Sequence, residues 1–195
     1  MTLQVHKTLK WKVESVGYST DKNLKASGYC RKPFEVLTID VNGECFACVC
    51  QDWLPISIGN MFESSLTDIW NGAVIEELRK SVSNGTMKYC NNFNCSKIIN
   101  ADYDSDLPEI YSHPTLINFC YDMSCNLHCP SCRSEKLFIS EGPEYEKMLQ
   151  INKMITDFIA GTNVTLNITG SGDPFGSKIF REFLYNFDGE ASPNV

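Results

Sequence analysis

The sequence lacks the features that would place it in a membrane or on a nucleic acid. No apolar run approaches the roughly 18 residues a membrane helix needs. The N-terminus, MTLQVHKTLKWKVES, has no apolar stretch of the secretory kind. Positive charge is in deficit, with 17 Lys and Arg against 24 Asp and Glu and a net charge of −7. An acidic chain gains no general attraction to nucleic acid or anionic membranes, so neither is an expected partner. Long-period repeats and low-complexity segments are absent as well. What remains is an ordinary globular composition, 43% hydrophobic and 21% charged over 195 residues. That length suits one domain or two small ones, and the expectation is a soluble, cytoplasmic protein.

Cysteine is what the chain has in excess, at 10 residues. In a reducing compartment, grouped cysteines bind metal more often than they form disulfides. A secreted disulfide framework is the alternative, and the missing signal and tight spacings weigh against it. The thiols fall in two groups, Cys30, Cys45, Cys48, Cys50, Cys90 and Cys95, then Cys120, Cys125, Cys129 and Cys132. An acidic, turn-rich stretch at residues 101–108 separates them. The expected organisation is a cluster-binding module over residues 1–100, a linker at 101–114 and an α/β region over 115–195.

In the first group, residues 34–41 read as a strand and 44–50 as its returning partner. Asn42-Gly43 between them is the dipeptide of a type I′ turn. Residues 65–70 read as a short helix capped by Ser65, with Asp68 three residues on. Residues 73–82 read as a second helix with Val74, Leu78 and Val82 on one face. In the second group, residues 115–121 form a strand leading into the cysteine loop. Pro143 opens a helix with Tyr145, Met148, Ile151, Ile155, Phe158 and Ile159 on its apolar face and Gly161 as C-cap. Residues 164–169 form a strand, 170–174 a tight loop, and Ser177 caps a last helix bearing Ile179, Phe180, Phe183 and Leu184. Strand–loop–helix repeated in this order predicts a parallel α/β sheet.

The segment Ser124-Cys125-Asn126-Leu127-His128-Cys129-Pro130-Ser131-Cys132 carries the strongest chemical signal. Cys125, Cys129 and Cys132, spaced C-x3-C-x2-C, can wrap one corner of a cubic iron–sulfur cluster. Such clusters usually take four thiolates, so three local ligands leave one iron open to a substrate or cofactor. Zinc more often shows paired C-x2-C units, and His128 sits too close to the thiols to close a tetrahedron comfortably.

On these residues the chain resembles the radical S-adenosylmethionine (SAM) superfamily, in which such a loop, with Asn-Leu after the first cysteine, follows the first strand. Ser131 stands where that family often has an aromatic residue near the adenine. The turn at residues 170–174, after the second strand, is similar to the family's Gly-Gly-Glu-Pro turn. Ser171, Gly172 and Asp173 take the places of Gly-Gly-Glu, which contacts the SAM amino group. Glycine admits a close approach of backbone to ligand, and Asp173 offers an acceptor for an ammonium group.

The resemblance implies a 4Fe–4S cluster and SAM as cofactors, and a reductant such as flavodoxin or ferredoxin. The activity implied is reductive cleavage of SAM to a 5′-deoxyadenosyl radical that abstracts hydrogen from substrate. The family's barrel has several more βα units than the residues from Thr115 on can supply. The expectation is therefore a partial barrel: a fragment, a truncated frame or half of a split enzyme.

The first half resembles a SPASM domain, the auxiliary cluster module of many peptide- and protein-modifying radical SAM enzymes. The resemblance rests on Cys30, Gly43 and Cys48, on Ile58-Gly59-Asn60-Met61, on residues 65–71, on Leu78-Arg79, and on Cys90 and Cys95. It implies a second cluster held by Cys30, Cys48, Cys90 and Cys95, and a peptide or protein substrate. Cys90 and Cys95 stand five apart, where the family more often shows C-x2-C. Cys45 and Cys50 lie close enough to replace Cys48, and Cys45-x2-Cys48 keeps a structural zinc site open. A non-enzymatic iron–sulfur or zinc-binding module is the competing function. Cys120 reads as a strand thiol.

Overall fold

The computed structural model describes residues 26–107, 109–129, 132, 135–168 and 172–187. The chain has the expected α/β class, with an open, mixed, five-stranded sheet in the order β3-β2-β1-β4-β5. The strands are β1 Val36–Asp40, β2 Glu44–Phe46, β3 Ser57–Asn60, β4 Leu116–Cys120 and β5 Thr165–Asn167. The helices are α1 Lys32–Glu35, α2 Leu66–Trp70, α3 Ala73–Ser83, α4 Ser96–Ile99, α5 Pro143–Ile159 and α6 Lys178–Asn186. Two compact units divide them. Unit 1 runs to Leu37 and resumes over Cys45–Pro114; unit 2 holds Thr38–Glu44 and the residues from Thr115 on.

Unit 1 is built around short elements. The strand expected from residue 34 starts two residues later, because residues 32–35 wind into one helical turn. Pro33 fixes a helical φ there, and Arg31 Nε pairs with Glu35 Oε1 at 2.7 Å across the turn. Asn42 (φ 63°) and Gly43 (φ 75°) both adopt the left-handed conformation that the turn reading required. The returning strand stops at Phe46 rather than Cys50, because the chain turns away through the next cysteines.

Ser65 caps α2 as expected, its hydroxyl accepting from Asp68 N at 3.1 Å. The buried face of α3 is Ile75, Leu78, Arg79 and Val82, one residue round from the expected stripe, and Val74 is only half-buried. Arg79 is 6% exposed and ties this core together. Its Nε donates to Pro33 O at 3.0 Å and Nη1 to Trp70 O at 3.1 Å. Its guanidinium also lies 4.6 Å from the Trp70 ring centroid. Burial lowers its pKa to about 10. Trp53 is half-buried and Trp70 fully buried, while Trp11 and His6 lie outside the described residues.

The acidic stretch read as a linker runs back along unit 1. Asp104 pairs with Tyr29 in an antiparallel bridge, and its carboxylate meets Lys97 Nζ at 3.0 Å.

Unit 2 follows the strand–helix–strand–helix order. Strands β4 and β5 are parallel, with Leu116 opposite Thr165 and Asn118 opposite Asn167. Pro143 occupies the first turn of α5, and Gly161 follows its C-terminal end at φ 74°. Tyr145, Met148, Ile151, Ile155 and Ile159 are buried as the periodicity predicts, whereas Phe158 is half-buried. β5 is only three residues long, shorter than expected at both ends.

Phe119 and Tyr121 meet Phe180 and Phe183 of α6 edge-on, at 5.0 Å for Phe119–Phe183 and 5.1 Å for Tyr121–Phe180. Each such pair contributes about 1 kcal/mol beyond area burial. The helix face settles on Ile179, Phe180 and Phe183, and Leu184, expected with them, is 47% exposed. Among the described residues no helix is long and apolar enough to cross a membrane.

Candidate metal centres

In unit 1 the four thiols of the expected auxiliary site come from three places in the chain. Cys30 precedes α1, Cys48 lies in the turn after β2, and Cys90 and Cys95 bracket the loop before α4. In each of the six pairs the charge of one thiolate raises the pKa of the other. The Cys50 charge also raises Cys48, and Cys45 lies fully buried.

The long spacing from Cys90 to Cys95 has a local cause. Asn91, 3% exposed, donates its backbone N–H to Trp53 O at 2.8 Å. Its side-chain oxygen accepts from Phe93 N at 3.0 Å and Asn94 N at 3.3 Å. This knot turns the extra residues outward and leaves Phe93 72% exposed at the tip.

The electrostatics suit a cationic guest. Burial pushes the Cys48 thiol up to about 12 and raises Cys30 and Cys90 as well. The neighbouring thiols add to each shift. Thiols so placed ionise together only around positive charge, which iron would supply. Two backbone donors already face the sulfurs, Lys32 N–H toward Cys30 and Cys50 N–H toward Cys48. Such bonds tune a cluster's potential. Among the described residues no three of His, Cys, Asp and Glu stand as a site for a single ion. Charge repulsion reaches farther than a metal–ligand bond, about 2.3 Å for Zn–S, so four coupled thiols without a one-ion site are consistent. Four thiolates are the donor set an iron–sulfur cluster usually takes. None of the ten cysteines is in a disulfide.

In unit 2 the loop after β4 opens at Cys125 and closes at Leu137. These two residues form an antiparallel bridge, with Cys125 N donating to Leu137 O at 2.8 Å. Inside the loop, Cys132 N donates to Cys129 O at 3.1 Å. Cys125 is buried, while Cys129 and Cys132 are exposed. Ser131, Arg133 and the turn residue Ser171 lie outside the described residues.

Gly172 and Asp173 of that turn pack directly on the loop. Asp173 N donates to Ser124 O at 3.1 Å. A Cβ on Gly172 would collide with that same carbonyl, so only glycine fits. A Cβ on Gly176 would stand 3.0 Å from Asn126 N. The Asp173 carboxylate accepts from Phe175 N at 3.2 Å through Oδ1. Cys125, Gly172 and Asp173 are thus brought together, although some 47 residues separate them in sequence.

The sequence reading missed Asp122. It is wholly buried and accepts from Ser124 N and Ser124 Oγ, both at 2.8 Å, and from Ser177 Oγ at 2.5 Å. The available signal was an Asp-x-Ser step entering the loop, the pattern of a side chain that folds back on its own backbone. Cys120 sits half-buried in β4 as expected, its thiol pushed up to about 11 by burial and, less, by Asp40.

Residues 30–96 match the family model of SPASM, described as an iron–sulfur cluster-binding domain. The match begins at Cys30 and takes in Cys48, Cys90 and Cys95. This part of the chain is therefore similar to an iron–sulfur-binding module of the kind found with radical SAM enzymes. Comparison with curated proteins and with solved structures finds no match.

Proposed function

We propose that this chain is a radical SAM protein, or part of one, with a SAM-binding cluster on Cys125, Cys129 and Cys132. An auxiliary cluster would be held by Cys30, Cys48, Cys90 and Cys95. The observation that carries the reading is the seating of Gly172 and Asp173 on Ser124. A plain electron carrier has no use for a glycine–carboxylate turn pressed against its cluster loop. The SPASM match supports the auxiliary site and the association with this chemistry.

When bound, a reduced cluster with SAM would supply the 5′-deoxyadenosyl radical used for hydrogen abstraction. The residues themselves have simpler tasks. Cys125 holds the buried edge of the loop, while Cys129 and Cys132 present their thiols at the surface. Gly172 lets the turn's backbone come close, and Asp173 offers a carboxylate to the SAM ammonium. In unit 1 four thiols close a site with no open position, which suits electron transfer or substrate anchoring. The substrate class is a peptide or protein, the reductant a flavodoxin or ferredoxin, and the setting the reducing cytoplasm that ten thiols favour.

The test is anaerobic reconstitution with iron and sulfide, then EPR of the reduced protein with and without SAM. The expected result is a signal that SAM shifts and that Cys125→Ala/Cys129→Ala/Cys132→Ala removes. Iron insensitive to the triple variant, or stoichiometric zinc without iron, would place the protein among non-enzymatic metal-binding modules.

A further inference from the structure

We propose that Asp122 is a positioning residue that locks the cysteine loop and the Gly172–Asp173 turn in one register. The proposal rests on the reading of unit 2 given above. The hydrogen bonds around Asp122 close a ring. Asp122 Oδ1 accepts from Ser124 N and Oγ at 2.8 Å, and Ser124 O accepts from Asp173 N at 3.1 Å. Asp173 O then accepts from Ser177 N at 2.9 Å, and Ser177 Oγ donates back to Asp122 Oδ2 at 2.5 Å.

Two spokes leave the ring. Ser124 Oγ accepts from Ile139 N at 3.0 Å, beyond the loop's closing bridge at Leu137. Ser177 Oγ accepts from Phe180 N at 3.1 Å and caps α6. One buried carboxylate therefore fixes both ends of the loop, the turn and the first turn of a helix.

The chemistry of the side chain is specific. A carboxylate accepts through both oxygens, and here both are used, by two hydroxyls and one amide. Asparagine keeps the shape but has only one acceptor atom. In Asp122→Asn either Ser124 or Ser177 loses the acceptor for its hydroxyl proton in a buried place, where bonds to charged groups count most. The ring then opens, and loop and turn move independently.

The experiment compares reconstituted wild type with Asp122→Asn, Ser177→Ala and Ser177→Thr. The first readout is hydrogen exchange followed by mass spectrometry on peptides containing Ile139 and Asp173. Exchange in both peptides should accelerate about tenfold or more in Asp122→Asn and Ser177→Ala, the size of one lost charge-assisted bond. Ser177→Thr, which keeps the hydroxyl, should restore protection. The second readout is the SAM concentration giving half of the EPR shift, which should rise about tenfold in Asp122→Asn at unchanged iron content.

A merely local role predicts something else. Acceleration in Ser177→Ala confined to the Phe180 peptide, with Ile139 and Asp173 protected as in wild type, would overturn the proposal. So would an unchanged SAM midpoint in Asp122→Asn. The exchange readout needs no SAM. If wild-type EPR ignores SAM, the proposed function fails while the coupling is still judged by exchange. Should Asp122→Asn not fold, Ser177→Ala and its threonine rescue carry the test alone.

Discussion

The two cysteine sites differ in how their ligands are gathered. In unit 1, Cys30, Cys48, Cys90 and Cys95 converge from distant points, and every pair is electrostatically coupled. In unit 2, three cysteines lie within eight residues, and two of the three are exposed. The first arrangement depends on the fold and, in the proposed reading, supplies a set of four thiolates. The second is nearly independent of it, since sequence spacing alone holds the thiols near each other. What the fold contributes in unit 2 is the turn around Gly172 and Asp173, brought against the loop. A closed site suits a cluster that is held; an open one suits a cluster that binds something.

The largest effect that would break this comparison concerns iron. Cys30→Ala/Cys48→Ala/Cys90→Ala/Cys95→Ala should abolish iron binding by unit 1 and leave the iron of unit 2 in place. Iron and sulfide analysis after reconstitution, beside the Cys125/Cys129/Cys132 triple variant, checks it. Loss of all iron in either variant would mean one shared site rather than two.

The next effect is on stability. Arg79→Ala removes two hydrogen bonds and a stacked cation from the core of unit 1 and should cost about 3 kcal/mol. Chemical denaturation reads the midpoint. A change below about 0.5 kcal/mol would show that this buried cation is incidental. Gly172→Ala presses a methyl group into the Ser124 carbonyl and should destabilise unit 2 by about 2 kcal/mol. It should also weaken the SAM-induced EPR shift while leaving the response of unit 1 to its own iron unchanged. The smallest effect is expected at Cys50→Ala, which should keep full iron content because the proposed ligands are Cys30, Cys48, Cys90 and Cys95. Loss of iron there would move the fourth ligand from Cys48 to Cys50.

Much of unit 2 was legible because its signals are local. The period of α5, Pro143, the Ser177 cap and the C-x3-C-x2-C spacing each depend on a few neighbouring residues. Unit 1 was harder. The turn at Asn42-Gly43 was plain, yet the strand before it was overextended, since Pro33 can open a helix as readily as join a strand. Short strand β3 and helix α4 lack a period long enough to register.

In the first group it is the family resemblance that singles out Cys30, Cys48, Cys90 and Cys95. Nothing in spacing alone separates Cys48 from Cys45 and Cys50. Asp122 was invisible for a different reason. Its partners Ser124 and Ser177 lie two and 55 residues away, and only the folded chain shows that one carboxylate serves both.

In the proposed reading, the cluster of unit 2 has an open iron and that of unit 1 does not. Mössbauer spectroscopy of the two cysteine variants, reconstituted with isotopically enriched iron and measured with and without SAM, tests it most directly. SAM should change the parameters of a single iron when Cys125, Cys129 and Cys132 remain, and of none when only Cys30, Cys48, Cys90 and Cys95 remain. A SAM-dependent change in the unit 1 cluster, or none in that of unit 2, would contradict it.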